Sequence, residues 1–306
     1  MPSPVFLILV HRDPAMFSRL AARLDPFRLI VHVDAKADQQ SFLAALSATA
    51  RSRTTFIDER VAVNWAAYTQ TDGIRRLVRA GVASSAPDDY LILLSGQDYP
   101  LKSMPVLSAF LNEHSGSQFM RFFAIADATD KYRTQVDHRH FRDLPILTTH
   151  GHQALPRRVR NGAISLLDVG ARRLGKRRPP TGLVLAHGSS HFAITASLAE
   201  ELESSVTPDI ERFFRGVFAS DEKFYPSLAA SMPAPPEGLA GKEAFVGEGN
   251  WRYRNLHHIH PSLAKIYTHS DWDEVSASDR FFLRKLESGV SDALLDRIDT
   301  ELLARQ

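Results

Sequence analysis

A chain of 306 residues that is 44% hydrophobic can bury a substantial core, as one large α/β domain or two closely associated lobes. Its 37 basic and 35 acidic residues leave a net charge of +2, too balanced for wholesale nucleic-acid binding. The absence of cysteine excludes disulfides and thiolate metal sites and permits a reducing cytoplasm, and no window holds the roughly 18 uninterrupted apolar residues of a transmembrane helix.

Val5 to Val10 is a continuous apolar run, the pattern of a strand covered on both faces, and Asp13-Pro14 supplies an N-cap and a first-turn proline for a helix to about Leu24. Leu29 to Val33 predicts a second strand ending at Asp34, Gln40 to Ala48 a helix, and Thr54 to Ile57 a third strand. A longer helix is expected from Trp65 to Arg79, closed by Gly81. Tyr90 to Leu94 then reads as a buried strand that breaks into a turn at Ser95 to Pro100, with a helix near Val106 to Leu111. Such alternation predicts a mostly parallel sheet whose ligand lies beyond the carboxyl ends of the strands, where His11, Asp34 and Asp98 fall.

Phe119 to Ala124 suits one more strand, whereas Asp127 to Pro180 breaks the rhythm and predicts long excursions. Leu183 to Ala186 reads as a strand, Ser197-Leu198-Ala199-Glu200 as a capping box, and Ser220 as the hydroxyl cap of a further helix. Ser291 to Leu303 carries leucines and isoleucine on one side and predicts a terminal amphipathic helix.

Several clusters could carry chemistry. Phe281-Phe282-Leu283-Arg284-Lys285-Leu286-Glu287 sets two adjacent cations in an apolar run, which suits a dianionic leaving group because desolvated charges attract strongly. A surface strand with snorkelling side chains is the competing reading. Glu222, just inside the helix expected from Ser220, is favoured in its ionised form there and could act as a general base; acidic residues in a first turn also serve simply as dipole complements. Asp98 ends a buried strand, but Gly96 stands where a metal-using nucleotide-sugar enzyme wants a second acid. The only D-x-D, Asp271-Trp272-Asp273, reads as helix capping. His138, His140, His150 and His152, and likewise His257, His258 and His260, lack the spacing of a zinc site and read as loop or surface histidines. Arg157, Arg158, Arg160, Arg172, Arg173, Lys176, Arg177 and Arg178, interleaved with Ile164, Leu166, Leu167 and Val169, form a basic amphipathic stretch that suits either anionic lipid or a solvated face.

Taken in order, Leu7 to Pro14, Val31-His32-Val33-Asp34, Val63-Asn64-Trp65, Asp89 to Leu101, Gly188-Ser189-Ser190-His191-Phe192, Ser220-Asp221-Glu222 and Phe282-Leu283-Arg284-Lys285-Leu286 make a pattern. It resembles glycosyltransferase family 14, which includes core 2 and I branching N-acetylglucosaminyltransferases and peptide O-xylosyltransferases, and most closely its bacterial members.

The resemblance implies a GT-A type α/β fold in a single large domain, with a nucleotide-binding half over 1–125, an irregular basic insertion over 126–182 and an acceptor and catalytic half over 183–306. It implies inverting transfer of N-acetylglucosamine or xylose from a UDP-sugar to a hydroxyl of a glycan, lipid-linked glycan or protein, with no divalent metal or other cofactor. Glu222 matches the catalytic base, Arg284 and Lys285 the cations that stabilise the leaving diphosphate, and Arg252 another arginine near the phosphates. Val10, Asp34 and Trp65 fall where the nucleotide is held, Asp98 where sugar or ribose is contacted, and Ser189 and His191 on the sugar or acceptor side. His191 at a position usually aromatic, and Leu283 where alanine is usual, leave donor and acceptor identity open. No anchor is read in the chain, so a cytoplasmic enzyme is expected, with Arg157 to Arg178 available for peripheral contact at the inner membrane. Metal-dependent nucleotide-sugar transfer and non-catalytic glycan binding on the same fold are the alternatives.

Overall fold

The computed structural model describes residues 1–143, 157–173, 175–233 and 242–304. Strand β1 (Pro4–Val10) is followed by helix α1 (Pro14–Arg23), whose N-cap Asp13 accepts a hydrogen bond from the Met16 amide, then by β2 (Arg28–Val33). The next helix is broken in two. Ser47 accepts from the Ala50 amide and starts a fresh turn, so α2 (Gln39–Ala45) and α3 (Ala48–Ser52) replace the single helix expected over 40–48.

β3 (Thr54–Phe56) leads to α4 (Tyr68–Ser84), which begins three residues later than expected because Ala66 is left-handed, with φ 59°. Gly81 lies inside this helix and does not close it. A Cβ there would meet Leu91 and Leu7 at 3.0 and 3.1 Å, so the glycine lets the helix settle close on the sheet. β4 (Tyr90–Ser95) follows, and part of the expected turn is itself a strand, β5 (Asp98–Pro100), before α5 (Met104–Glu113).

β6 (Phe122–Ala124) opens the irregular region, which contains α6 (Asp130–Asp137) and α7 (Arg157–Arg172). The strand expected at 183–186 falls later, as β7 (Ala186–Gly188), and β8 (Ala193–Thr195) runs into α8 (Ala196–Ser204). The cap of α8 is Thr195, whose hydroxyl accepts from Leu198, and not Ser197. After α9 (Pro208–Phe214) comes a single 3-10 turn over Ser220–Glu222 and then α10 (Phe224–Ala230). Ser220 does not cap a helix; its hydroxyl lies 2.6 Å from that of Thr71, tying the turn to α4. β9 (Lys242–Glu243), β10 (His257–Ile259), α11 (Trp272–Ser276), β11 (Phe282–Arg284) and α12 (Asp292–Arg297) complete the chain, the last continuing as a π-helix over Ile298–Leu303.

The central sheet has the order β3-β2-β1-β4-β8, parallel throughout except for the antiparallel β8 at its edge. Helices cover both faces of β1, which is why Val5 to Ile8 are fully buried and the strand reads as an unbroken apolar run. Smaller sheets β10-β11-β5 and β7-β6-β9 stand beside it. In the first of these, antiparallel pairing of β11 with β5 places Arg284 directly opposite Asp98.

His32 on β2 is fully buried, and its Nε2 accepts a hydrogen bond from the Val61 amide at 2.9 Å. Burial pushes its pKa down from 6.5 to about 4. The unfolded ring gains a proton near its ordinary pKa while the folded ring stays neutral. The stability this contributes is therefore complete above pH 6.5 and drains as pH falls toward 4, by up to about 3 kcal/mol. Urea midpoints at pH 7.5 and 4.5 should differ accordingly, and His32→Gln should flatten that dependence; an unchanged slope in the variant refutes the assignment.

Candidate active site

A cleft of about 600 Å³ opens beyond the carboxyl ends of β1 and β4. Glu222, Arg284 and Lys285 all line it, as do Trp65, Ser189 and His191. Residues far apart in sequence are thus gathered on one surface. Val10, Asp34, Asp98 and Arg252 do not line it. Val10 is packed beneath Gly96, where a Cβ would come within 2.9 Å of its Cγ1, and its carbonyl accepts from the Asp34 amide. Asp34 accepts from the amides of Lys36 and Val63 and pairs with the Lys36 ammonium at 3.4 Å, shaping the loop behind Trp65. The Arg252 guanidinium lies over the Trp251 ring at 4.4 Å and donates to the Glu248 carbonyl.

Two alanines shape the wall of the cleft beside Glu222. Ala66 (φ 59°) and Ala219 (φ 46°) both line the cleft in the left-handed region, and the Ala219 amide donates to the Ala66 carbonyl at 2.9 Å. Strain of this kind, of order 1 kcal/mol per residue, persists where the surroundings fix it. Here it turns the chain immediately before Ser220-Asp221-Glu222. Gln70 donates to Asp221 at 2.8 Å, and the buried Lys223 ammonium donates to the Phe218 and Ala219 carbonyls. His187 Nε2 lies 4.0 Å from Glu222 Oε2.

The electrostatics of Glu222 differ from the sequence expectation. It sits in a 3-10 turn, not at an α-helix N-terminus, so no helix dipole holds it ionised. Burial pushes its carboxyl well above the usual range, the neighbouring Asp221 pushes it further, and Lys223 only partly offsets them. Burial likewise raises Asp221.

Arg284 is anchored from behind. Its Nη1 donates to Asp98 Oδ1 at 2.7 Å and to the Ser95 hydroxyl. Asp98 is fully buried and also accepts from the Ser95 amide and hydroxyl. Burial alone would raise its carboxyl, but Arg284, His257 and His191 hold it well below the carboxylate range. Asp98 is therefore the support of the cleft cation and does not itself face the cleft. Lys285 is half-buried, and burial together with Arg284 lowers its pKa.

Sequence reasoning missed Lys131, Tyr132 and Gln135, which α6 brings to the cleft from the stretch read as irregular. It also placed His257 on the surface, whereas that residue is 2% exposed on β10. His258, also on β10, binds Glu274 and Ser278, and His140 faces Asp168; both side chains are largely covered and not on the open surface, while His150 and His152 lie outside the described residues. Asp271 caps a turn in a capping box with Thr268, as expected of the D-x-D. The basic stretch is not uniformly solvated, since Arg177 packs over the Phe213 ring at 4.4 Å.

A mostly parallel sheet with its cleft at the strand ends, lined by the adjacent acids Asp221 and Glu222 and by the paired cations Arg284 and Lys285, is a GT-A type fold, the architecture of glycosyltransferases. The chain belongs to the Core-2/I-Branching enzyme family, whose model matches residues 5–292. It is 26% identical over 236 residues to Xylosyltransferase 2 of Rattus norvegicus, covering 70% of this chain and 23% of that protein. It is 23% identical over 248 residues to the Beta-1,3-galactosyl-O-glycosyl-glycoprotein beta-1,6-N-acetylglucosaminyltransferase 4 of Mus musculus, covering 79% of this chain and 50% of that protein. The matches thus span about a quarter of the length of the first relative and half of the second. No helix among the described residues is long and apolar enough to cross a membrane.

Proposed function

We propose that the chain is an inverting glycosyltransferase that moves a sugar, N-acetylglucosamine or xylose, from a UDP-sugar to a hydroxyl of a glycan, lipid-linked glycan or protein. The observation that carries this reading is the convergence of Glu222 with Arg284 and Lys285 on one cleft. Glu222, once ionised, takes the proton of the acceptor hydroxyl. The freed oxygen attacks the anomeric carbon from the face opposite the diphosphate, the carbon–oxygen bond to the diphosphate breaks, and the configuration inverts. Arg284 and Lys285 meet the charge that develops on the departing diphosphate, a role that would otherwise need Mg²⁺ or Mn²⁺. Turnover should therefore proceed without either added ion.

Both terminal segments build this site. Leu9, Trp65 and Ser95 come from the first 125 residues, while the base and both cations come from 183–306, whose β8 also completes the central sheet. On α7, Val159, Leu166 and Val169 are more than half exposed and Arg172 stands in the last turn, supporting peripheral contact of a cytoplasmic enzyme with anionic lipid at the inner membrane.

Thermal-shift titration with UDP, UDP-N-acetylglucosamine, UDP-xylose and a purine nucleotide tests donor class directly. Selective stabilisation by the uridine compounds is expected, and equal or absent response to all four would sink the proposal. Lys285→Ala should weaken UDP binding about 10- to 100-fold, the worth of one charge-assisted contact, in isothermal titration.

A further inference from the structure

We propose that Asp98, His191 and His257 form a binding site for a zinc-class divalent ion in the wall of the cleft. The three residues come from β5, the segment between β7 and β8, and β10. Asp98 Oδ2 lies 3.3 Å from His257 Nε2 and 3.8 Å from His191 Nε2, and the three donor atoms fall within 4.8 Å of one another. An ion with bonds of about 2.0–2.1 Å in a tetrahedral shell wants donors roughly 3.3–3.5 Å apart, so the observed set closes around zinc with small side-chain movements.

Two further observations point to a ligand. His257 Nε2 is buried, and the polar atom it meets is Asp98 Oδ2 at 3.3 Å, without the geometry of a regular hydrogen bond. His191 Nδ1 lies 3.3 Å from the Ser190 hydroxyl, which turns the other ring nitrogen toward Asp98, the arrangement that orients a metal-binding imidazole. Arg284 and the Ser95 hydroxyl occupy Oδ1 of Asp98, leaving Oδ2 on the histidine side with only the Ser95 amide bound.

Two imidazoles and one carboxylate select zinc, cobalt or a similar ion over Mg²⁺ and Ca²⁺, which favour oxygen shells. The site is thus distinct in chemistry from a diphosphate-bridging Mg²⁺, and it leaves Arg284 and Lys285 their role. His191 lines the cleft, so the fourth coordination position opens there. A bound ion would fix Asp98, and through it Arg284, in register with the cleft.

The test needs no turnover, so its result is separate from that of the transfer reading. The full chain, purified without chelator, should hold about one zinc by elemental analysis, and Co²⁺ exchanged into it should give a visible ligand-field band. His257→Ala and His191→Ala, each checked for folding by circular dichroism, should cut zinc content at least tenfold and abolish the band. Glu222→Gln and His258→Ala should retain both. No saturable zinc uptake by the unaltered chain, or equal uptake by the folded His257→Ala and His191→Ala proteins, would overturn the site and leave a simple Asp98–His257 contact.

Discussion

Glu222→Gln is expected to lower kcat about 10²- to 10⁴-fold, the usual contribution of a positioned general base, while leaving UDP affinity within about twofold. Glutamine keeps the shape of the side chain but cannot take the acceptor proton. The surrounding charges add a second readout. Burial and Asp221 raise the Glu222 carboxyl, so the ionised base appears only as pH climbs above the ordinary carboxylate range. The acidic limb of kcat/KM should accordingly lie above pH 4.5. Asp221→Asn removes a like charge and should move that limb to lower pH, because ionising Glu222 then costs less. Steady-state rates between pH 4 and 9 check both points. Wild-type turnover in Glu222→Gln, or a limb that moves upward in Asp221→Asn, would remove the base from Glu222.

The second large effect is on stability. Arg75 is 4% and Glu203 9% exposed at the side chain, and they form a two-pronged pair with both contacts at 3.1 Å. Tyr225 donates to Glu203 at 2.8 Å, Arg75 donates to the Tyr68 hydroxyl, and its guanidinium lies over the Phe224 ring at 5.1 Å. The network joins α4, α8 and α10 directly behind the Glu222 turn. Glu203→Ala leaves the buried guanidinium with only the partly exposed Glu211 carboxylate, at 3.3 Å, and should destabilise the protein by about 3 kcal/mol in urea unfolding. The double substitution Arg75→Met with Glu203→Leu should recover most of that loss, since the cost is mainly that of an uncompensated charge. A Glu203→Ala protein within about 1 kcal/mol of wild type would show that the pair is solvated, contrary to its burial.

Much of this architecture is legible in the chain itself. Val5 to Val10 is apolar at every position because both of its faces are covered, so it could be assigned to a buried parallel strand without knowing its neighbours. Asp13-Pro14 fixed the start of α1 by local chemistry alone. The fold family, the Glu222 motif and the Arg284-Lys285 pair likewise follow from ordered short motifs. The errors share one cause, which is that contact can override local preference. Gly81 looked like a helix stop, yet it stands mid-helix because the sheet leaves no room for a Cβ. Leu183 to Ala186 had strand character, but pairing with β6 placed the strand later.

The sequence by itself determined most of the strands and helices, the adjacency of Arg284 and Lys285 and the Ser220-Asp221-Glu222 motif, since each rests on neighbours within a few positions. Tertiary structure alone decided the ionisation of Glu222, which depends on the solvent excluded around it and on the backbone bent by Ala66 and Ala219. It alone turned Asp98 away from the cleft and set two histidines beside its carboxylate, His257 through the β10-β11-β5 sheet and His191 from the segment between β7 and β8.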